Sequence, residues 1–227
     1  MRIIGLTGGI ACGKSSVSHL LSNMGAYVID CDKIAHEACA KGSWGYNRIV
    51  QAFGREVLGS NGDIDREALS CLIFQNVSAR RKLNTATHLP IALELIRQII
   101  CSWLSFRFLV VVDMPLLFET GAHKWMNMTI LVCCKQEIQV ERLMNRDKMS
   151  QTEALNRISS QLDQGRKMEL ANMILDNNGS KSDLEEKVKV LVTQISRNTT
   201  AWGLLTSPLT FSLLGFSIIA CLCNRTY

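Results

Sequence analysis

The sequence predicts an α/β fold built on a five-stranded parallel sheet. Five short apolar runs alternate with longer helical patterns, the arrangement of strand–helix–strand crossovers rather than of hairpins. Three of those runs end in an aspartate, at Asp30, Asp113 and Asp176. A glycine-rich turn separates the first run from the first helical pattern.

The runs are Arg2 to Leu6, Tyr27 to Ile29, Phe108 to Val112, Thr129 to Cys133 and Met173 to Leu175. Ligands in such sheets bind beyond the carboxyl ends of the strands, where the three aspartates stand. An amphipathic stretch from Lys14 to Met24 supplies the first helix. The stretch from Asp32 to Arg107 is too long for one crossover. It reads as mostly helical, with a turn at Asn61-Gly62-Asp63. The organisation expected is therefore a sheet-bearing core over 1–30 and 108–197, a helical insertion over 31–107, a lid over about 146–170 and an apolar tail over 198–227.

A chain of 227 residues is long enough to bury a substantial core. Its net charge of +5 comes from 25 basic and 20 acidic side chains, with no block of like charge. So small an excess suits a polyphosphate ligand and argues against nucleic acid as a partner. The nine cysteines are odd in number and irregularly spaced, with no C-x-x-C pair and no zinc spacing. Most read as small buried hydrophobes. Residues 1–5 read directly into a strand. The expectation is a chain without a signal or transit peptide, in a cytoplasmic or cytosol-facing compartment.

The segment Gly8-Gly9-Ile10-Ala11-Cys12-Gly13-Lys14-Ser15 matches G-x-x-x-x-G-K-[ST], followed by Ser16. It leaves a strand and opens a helix, which is the context the motif needs. Glycines let the chain turn with its N–H groups inward, and the helix dipole adds positive potential. Lys14 places a charge at the β- and γ-phosphates of ATP, and the Ser15 hydroxyl suits Mg²⁺. Asp113, at the end of the third strand, occupies the place of a second magnesium-binding group; a strand-end turn carboxylate is the alternative. Cys12 reads as a small filler or, at a helix N-terminus, as a thiol of lowered pKa. The absence of an N-K-x-D segment excludes a guanine-specific GTPase.

Further pieces narrow the class. In order they are Gly5 to Ile10, Val28-Ile29-Asp30-Cys31-Asp32, Phe53 to Leu58, Gly62 to Arg66, Asp113 to Glu119, Arg142 to Asp147 and Ile174 to Gly179. With these seven in order, the chain from Met1 to about Ser196 resembles the dephospho-CoA kinase family. The resemblance implies ATP as phosphoryl donor and dephospho-CoA as acceptor, giving CoA and ADP. It implies that Asp32 accepts the ribose hydroxyl's proton, although an aspartate there also suits a helix N-cap. It implies that 115–119 lie against substrate and that Asn177 and Gly179 read adenine; an Asn-Gly turn is the plainer account of the last two. Arg142 and Arg146, spaced i,i+4, would project from one helix face and close with Arg157 over the phosphates. A solvated face paired with Glu141, Asp147 and Glu153 is the alternative.

Four positions depart from the family pattern. His36 stands for an arginine, Leu89 delays the proline of a helix-starting His-Pro to Pro90, Asp163 replaces a proline and Asn172 replaces an aspartate. They leave room for another nucleoside or small alcohol as acceptor, or for a weakly catalytic nucleotide-binding protein. Residues 202–223 span about the length that crosses a bilayer core, but Pro208 interrupts them and leaves the clean apolar part, 209–223, short; a buried or interfacial helix fits as well. Lys187, Lys189 and Arg197 before them favour a cytosol-facing catalytic domain.

Overall fold

The structure is a computed structural model that describes residues 1–205, with residues 74, 75 and 196–205 described by backbone alone. Five strands form its sheet: β1 (Arg2–Gly8), β2 (Tyr27–Asp30), β3 (Leu109–Asp113), β4 (Met128–Cys133) and β5 (Met173–Asp176). Their order is β2-β3-β1-β4-β5. The register aligns Leu6 with Asp113 across β1 and β3, Gly8 with Val132 across β1 and β4, and Cys133 with Asp176 across β4 and β5, all parallel. All five expected strands are present, each within two residues of its predicted ends. The connection after β1 runs to one side of the sheet and that after β4 to the other. The crevice between their carboxyl ends is the topological switch point, where ligands bind in open α/β sheets.

Ile4, Leu6 and the Val110 to Val112 run are fully buried, as a sheet covered on both faces requires. On one face, α1 (Lys14–Asn23) presents Val17 and Leu21, and α9 (Lys181–Leu205) presents Leu184, Val188, Leu191 and Ile195. These i,i+4 and i,i+7 stripes pack with Ile4, Val111, Ile130 and Val132 in one cluster. Phe118, Leu131 and Cys133 form a second cluster with Leu162, Leu170 and Ala171. The helices α6 (Gln136–Asp147), α7 (Gln151–Ser159) and α8 (Gln164–Leu170) follow β4.

The chain divides into two compact units, one of residues 1–29 with those from Ser102 onward, the other of Asp30–Cys101. The second holds α2 (Cys31–Ala38), α3 (Trp44–Phe53), α4 (Arg66–Gln75) and most of α5 (Val77–Leu104). Ile49, Val57, Leu69 and Ala86 make its core. The Asn61-Gly62-Asp63 turn is present, with Gly62 at φ 76°, and it brings Leu58 and Ile64 into a short antiparallel bridge.

Pro90 does not start a helix: α5 has already begun at Val77 and runs through it. A proline inside a helix leaves the carbonyl four residues back without its donor. Here that carbonyl is Ala86 O, and Arg48 Nε donates to it at 3.0 Å while Arg48 Nη2 donates to Thr85 O at 3.0 Å. The neighbouring helix repairs the break. At the other end of the chain, α9 continues without interruption past residue 198 to Leu205. Residues 206–223 of the apolar segment lie outside the described residues. Among the described residues no helix is long and apolar enough to cross a membrane.

Candidate active site

The loop from Gly8 to Ser15 leaves β1 and enters α1 through Gly13, the N-cap residue, in the left-handed region at φ 90°. No side chain caps α1 and no acid stands in its first turn. By contrast α2, α3, α4, α7 and α8 are capped by Asp30, Ser43, Asp65, Ser150 and Asp163. With no side-chain cap, the first N–H groups of α1 ahead of Ser16, whose N–H donates to Gly13 O, are open to an anion. Ala11 adopts φ 60°, an unusual conformation for a residue with a Cβ, costing about 1–3 kcal/mol.

Lys14 Nζ donates to Asp113 Oδ1, joining the loop lysine to the carboxyl end of β3. Asp113 is 4% exposed, so the pair is desolvated on the carboxylate side. The adjacent segment is tied down as well: Met114 N–H donates to Leu6 O, and Thr7 Oγ1 donates to Pro115 O, both at 2.9 Å. Ser15 and Asp113 together offer only hard oxygen donors. Among the described residues no group of three or more His, Cys, Asp or Glu could hold a metal. Such a donor set suits a magnesium ion that keeps most of its ligands as water and phosphate.

Asn177, after β5, has its side chain on the loop: Nδ2 donates to Cys12 O at 2.8 Å, and the residue is 7% exposed. Its backbone N–H donates to Cys133 O, and Arg142 Nη2 donates to Asn177 O at 3.1 Å. Arg142 Nη1 is buried with no hydrogen-bond partner. Arg146 turns elsewhere, pairing with Asp147 at 2.7 Å. Asp147 also accepts from Arg157 Nη1 at 3.1 Å. Arg146 beside it holds the Asp147 carboxyl below the ordinary carboxylate range. Arg146 and Arg157 thus share one exposed carboxylate, whereas Arg142 faces Asn177. Glu153 completes a capping box with Ser150, and the Ser150 hydrogen bonds, with Arg157 nearby, hold its carboxyl below the ordinary range.

Cys12 is fully buried, and its sulfur lies 3.5 Å from that of Cys134, within reach of a thiol–thiol hydrogen bond. That contact, then burial, raises the Cys12 pKa, so this thiol stays protonated despite its place beside a helix N-terminus. The filler reading fits this geometry better than the reactive one.

A cavity of about 400 Å³ opens beside the loop, between Gly9, Val132, Gln139, Ile158, Gln161 and Lys167. Lys167 is 2% exposed and pairs with Glu119 at 3.0 Å. A buried ammonium is costly unless paired, so this contact fastens the end of the Pro115 to Glu119 segment to α8. Gln139 and Gln161 reach the loop from the cavity wall, through Ile10 O and Ile10 N–H. None of Lys167, Gln139 and Gln161 stands out in the sequence. The one signal is that Gln139 sits with Val140 and Leu143 on the buried stripe of α6, where a polar residue needs a reason.

In the second unit the N-cap of α2 is Asp30, not Asp32. Asp30 Oδ1 accepts from Asp32 N–H at 2.9 Å and Lys33 N–H at 3.1 Å. Asp32 lies in the first turn. Two of the four departures have local structural roles. Asp163 caps α8 by accepting from Arg166 N–H at 3.2 Å. Asn172 Oδ1 accepts from Thr129 N–H at 2.8 Å and Thr129 Oγ1 at 3.0 Å, keeping the acceptor an aspartate would present. His36 sits in the last turn of α2.

Gly13 gives a direct test of the loop geometry. A Cβ there would lie 2.2 Å from Asn177 Nδ2, on a backbone that disfavours side chains in any case. Gly13→Ala is expected to weaken nucleotide binding at least about tenfold, since the anion site depends on loop geometry. Calorimetric titration with MgATP measures it; unchanged affinity would mean that the loop does not hold the nucleotide.

The model of the dephospho-CoA kinase family matches residues 2–183. A dephospho-CoA kinase from Arabidopsis thaliana is 40% identical over 200 residues, covering 88% of this chain and 86% of that protein. A dephospho-CoA kinase domain-containing protein from Danio rerio is 42% identical, covering 83% of this chain and 82% of its own. The solved structure of dephospho-CoA kinase from Campylobacter jejuni is similar with a TM-score of 0.68 and 29% identity, over 87% of this chain and 99% of that one. With a phosphate-binding loop at the switch point of a five-stranded parallel sheet, and a family match across nearly all of that architecture, the chain belongs to the dephospho-CoA kinase family.

Proposed function

We propose that this chain transfers the γ-phosphoryl group of ATP to the ribose 3′-hydroxyl of dephospho-CoA, giving CoA and ADP. The observation that carries the phosphoryl-transfer chemistry is the uncapped N-terminus of α1 with Lys14 paired to Asp113 beside it. Family membership supports the acceptor. The Gly8 to Ser16 segment cradles the triphosphate. Lys14 steadies charge on the γ-phosphate as it transfers. Asp32 accepts the hydroxyl proton while that oxygen attacks phosphorus, and the β–γ bridging oxygen leaves with ADP. An ordinary aspartate has a pKa near 4 and is a weak base. Holding the hydroxyl in line is therefore its larger service.

Arg142, on α6 just before the lid and with one buried nitrogen unpartnered, and Arg146, at its start, offset phosphate charge as the lid over about 146–170 closes. Ser15 and Asp113 would hold Mg²⁺, which when bound neutralises charge across the β- and γ-phosphates. Asn177 supports the cradle through Cys12 O, with Gly179 in the turn that follows. The helical insertion carries the acceptor. An acceptor panel tests the proposal: the full-length chain, in mild detergent, is incubated with MgATP and dephospho-CoA, nucleosides or small alcohols, and ADP is followed. Turnover confined to dephospho-CoA is expected; faster turnover of another acceptor overturns the assignment.

Membrane attachment through residues 202–223, with the catalytic domain facing the cytosol, is a separate proposal that rests on the uncharged stretch from Asn198 to Asn224. Its test is fractionation. The full-length chain is expected to pellet with membranes and to be released by detergent, and a chain that stays in the supernatant without detergent contradicts it.

A further inference from the structure

We infer that Gln139 and Gln161 are positioning residues for phosphoryl transfer, acting with Asn177 to hold the phosphate-binding loop from outside. The inference rests on the kinase reading and deepens it. Three side-chain amides from three parts of the fold reach the loop. Gln139 Nε2, on α6, donates to Ile10 O at 2.7 Å. Gln161 Oε1, in the link between α7 and α8, accepts from Ile10 N–H at 3.1 Å. Asn177 Nδ2, after β5, donates to Cys12 O at 2.8 Å.

These contacts fall on either side of Ala11, the residue at φ 60°. A backbone in that region persists only where its surroundings over-determine it. Ile10 is fixed at both its N–H and its carbonyl, and Cys12 at its carbonyl. Ile10 and Ala11 also pack against Val140, Leu143 and Ala154 of α6 and α7. The loop's conformation is thus held through the backbone of Ile10 and Cys12 by side chains from outside the loop.

The chemistry of the clamp fits its place. A carboxylate beside the loop would repel the triphosphate, and a lysine or arginine would compete with Lys14 for it. An amide donates or accepts without charge. Gln139 is 4% exposed, and a buried amide is costly unless hydrogen-bonded. Room for the clamp comes from glycine. A Cβ on Gly9 would stand 2.9 Å from Gln139 Nε2. Gln161 also ties the loop to the α7–α8 link within the proposed lid, so lid position and loop geometry are joined through one hydrogen bond.

The two glutamines act in opposite senses, which gives a test that a merely structural role does not pass. Glutamate cannot donate at position 139 but still accepts at position 161. Four variants of the full-length chain are compared: Gln139→Met, Gln139→Glu, Gln161→Met and Gln161→Glu. For each, kcat, both KM values, MgATP affinity by calorimetry and the melting temperature are measured. Both methionine variants are expected to lose about tenfold to a hundredfold in kcat through loop misplacement, with the KM for dephospho-CoA little changed. Gln139→Glu should lose as much as Gln139→Met, whereas Gln161→Glu should recover part of what Gln161→Met loses. Melting temperatures that fall while kcat holds, or the same ranking of Glu and Met at both positions, overturn the clamp. If the unmodified chain does not phosphorylate dephospho-CoA but MgATP affinity falls alike in Gln139→Glu and Gln139→Met and falls less in Gln161→Glu than in Gln161→Met, the clamp stands and the acceptor assignment falls. If turnover is normal and the ranking is absent, the reverse holds.

Discussion

Lys14→Ala is expected to lower kcat by about a thousandfold or more, since it removes a charge-bearing donor aimed at the transferring group. The variant also leaves Asp113 without its partner. That carboxylate is 4% exposed, and breaking a buried pair from one side is destabilising in its own right. A fall in rate must therefore be separated from a fall in stability. The double variant Lys14→Ala/Asp113→Asn removes the orphaned charge, so its melting temperature should return toward that of the unmodified chain while its rate stays low. Steady-state kinetics and melting curves on the three proteins decide the matter. Near-normal turnover in Lys14→Ala would place ATP chemistry somewhere other than the loop.

Asp32→Asn is the second large effect. General-base contributions are typically a hundredfold to ten-thousandfold, and kcat should fall within that range with little change in ATP affinity. The structure sharpens this prediction because it separates the two acids. Asp30 Oδ1 accepts from two backbone N–H groups and caps α2, so Asp30→Ala should cost about 1 kcal/mol of stability. Asp32 is not the cap but an acid in the first turn, so its asparagine variant should melt closer to the unmodified protein than Asp30→Ala does. A large rate loss with a small melting shift at 32, and a larger melting shift at 30, is the expected pair of results. A normal rate in Asp32→Asn would remove it from the mechanism.

The strands and the loop were legible because their signals are local. Val110 to Val112 is an uninterrupted β-branched run, and a glycine-rich loop between strand and helix has few other uses. The contacts that steady the loop were not legible, because each depends on a partner far away in the chain. Asn177 and Cys12 are 165 residues apart, and Gln139 and Ile10 are 129 apart. The tolerance of Pro90 inside α5 was illegible for a similar reason. Nothing near it says that Arg48 will satisfy the carbonyl it frees. Lys167 looks like an ordinary surface lysine on a short helix until Glu119 is seen beside it. Assigning the cap of α2 within Asp30-Cys31-Asp32 turns on where the helix begins, and a two-residue uncertainty there moves the cap from one aspartate to the other.

The central claim is tested most directly by the position of the new phosphate. The full-length chain is incubated with MgATP and dephospho-CoA, and the product is examined by phosphorus NMR and tandem mass spectrometry. The account predicts one ADP for each product molecule and a new phosphomonoester on the ribose 3′-oxygen. ADP release without a phosphorylated acceptor, or a phosphate at any other oxygen, would contradict it.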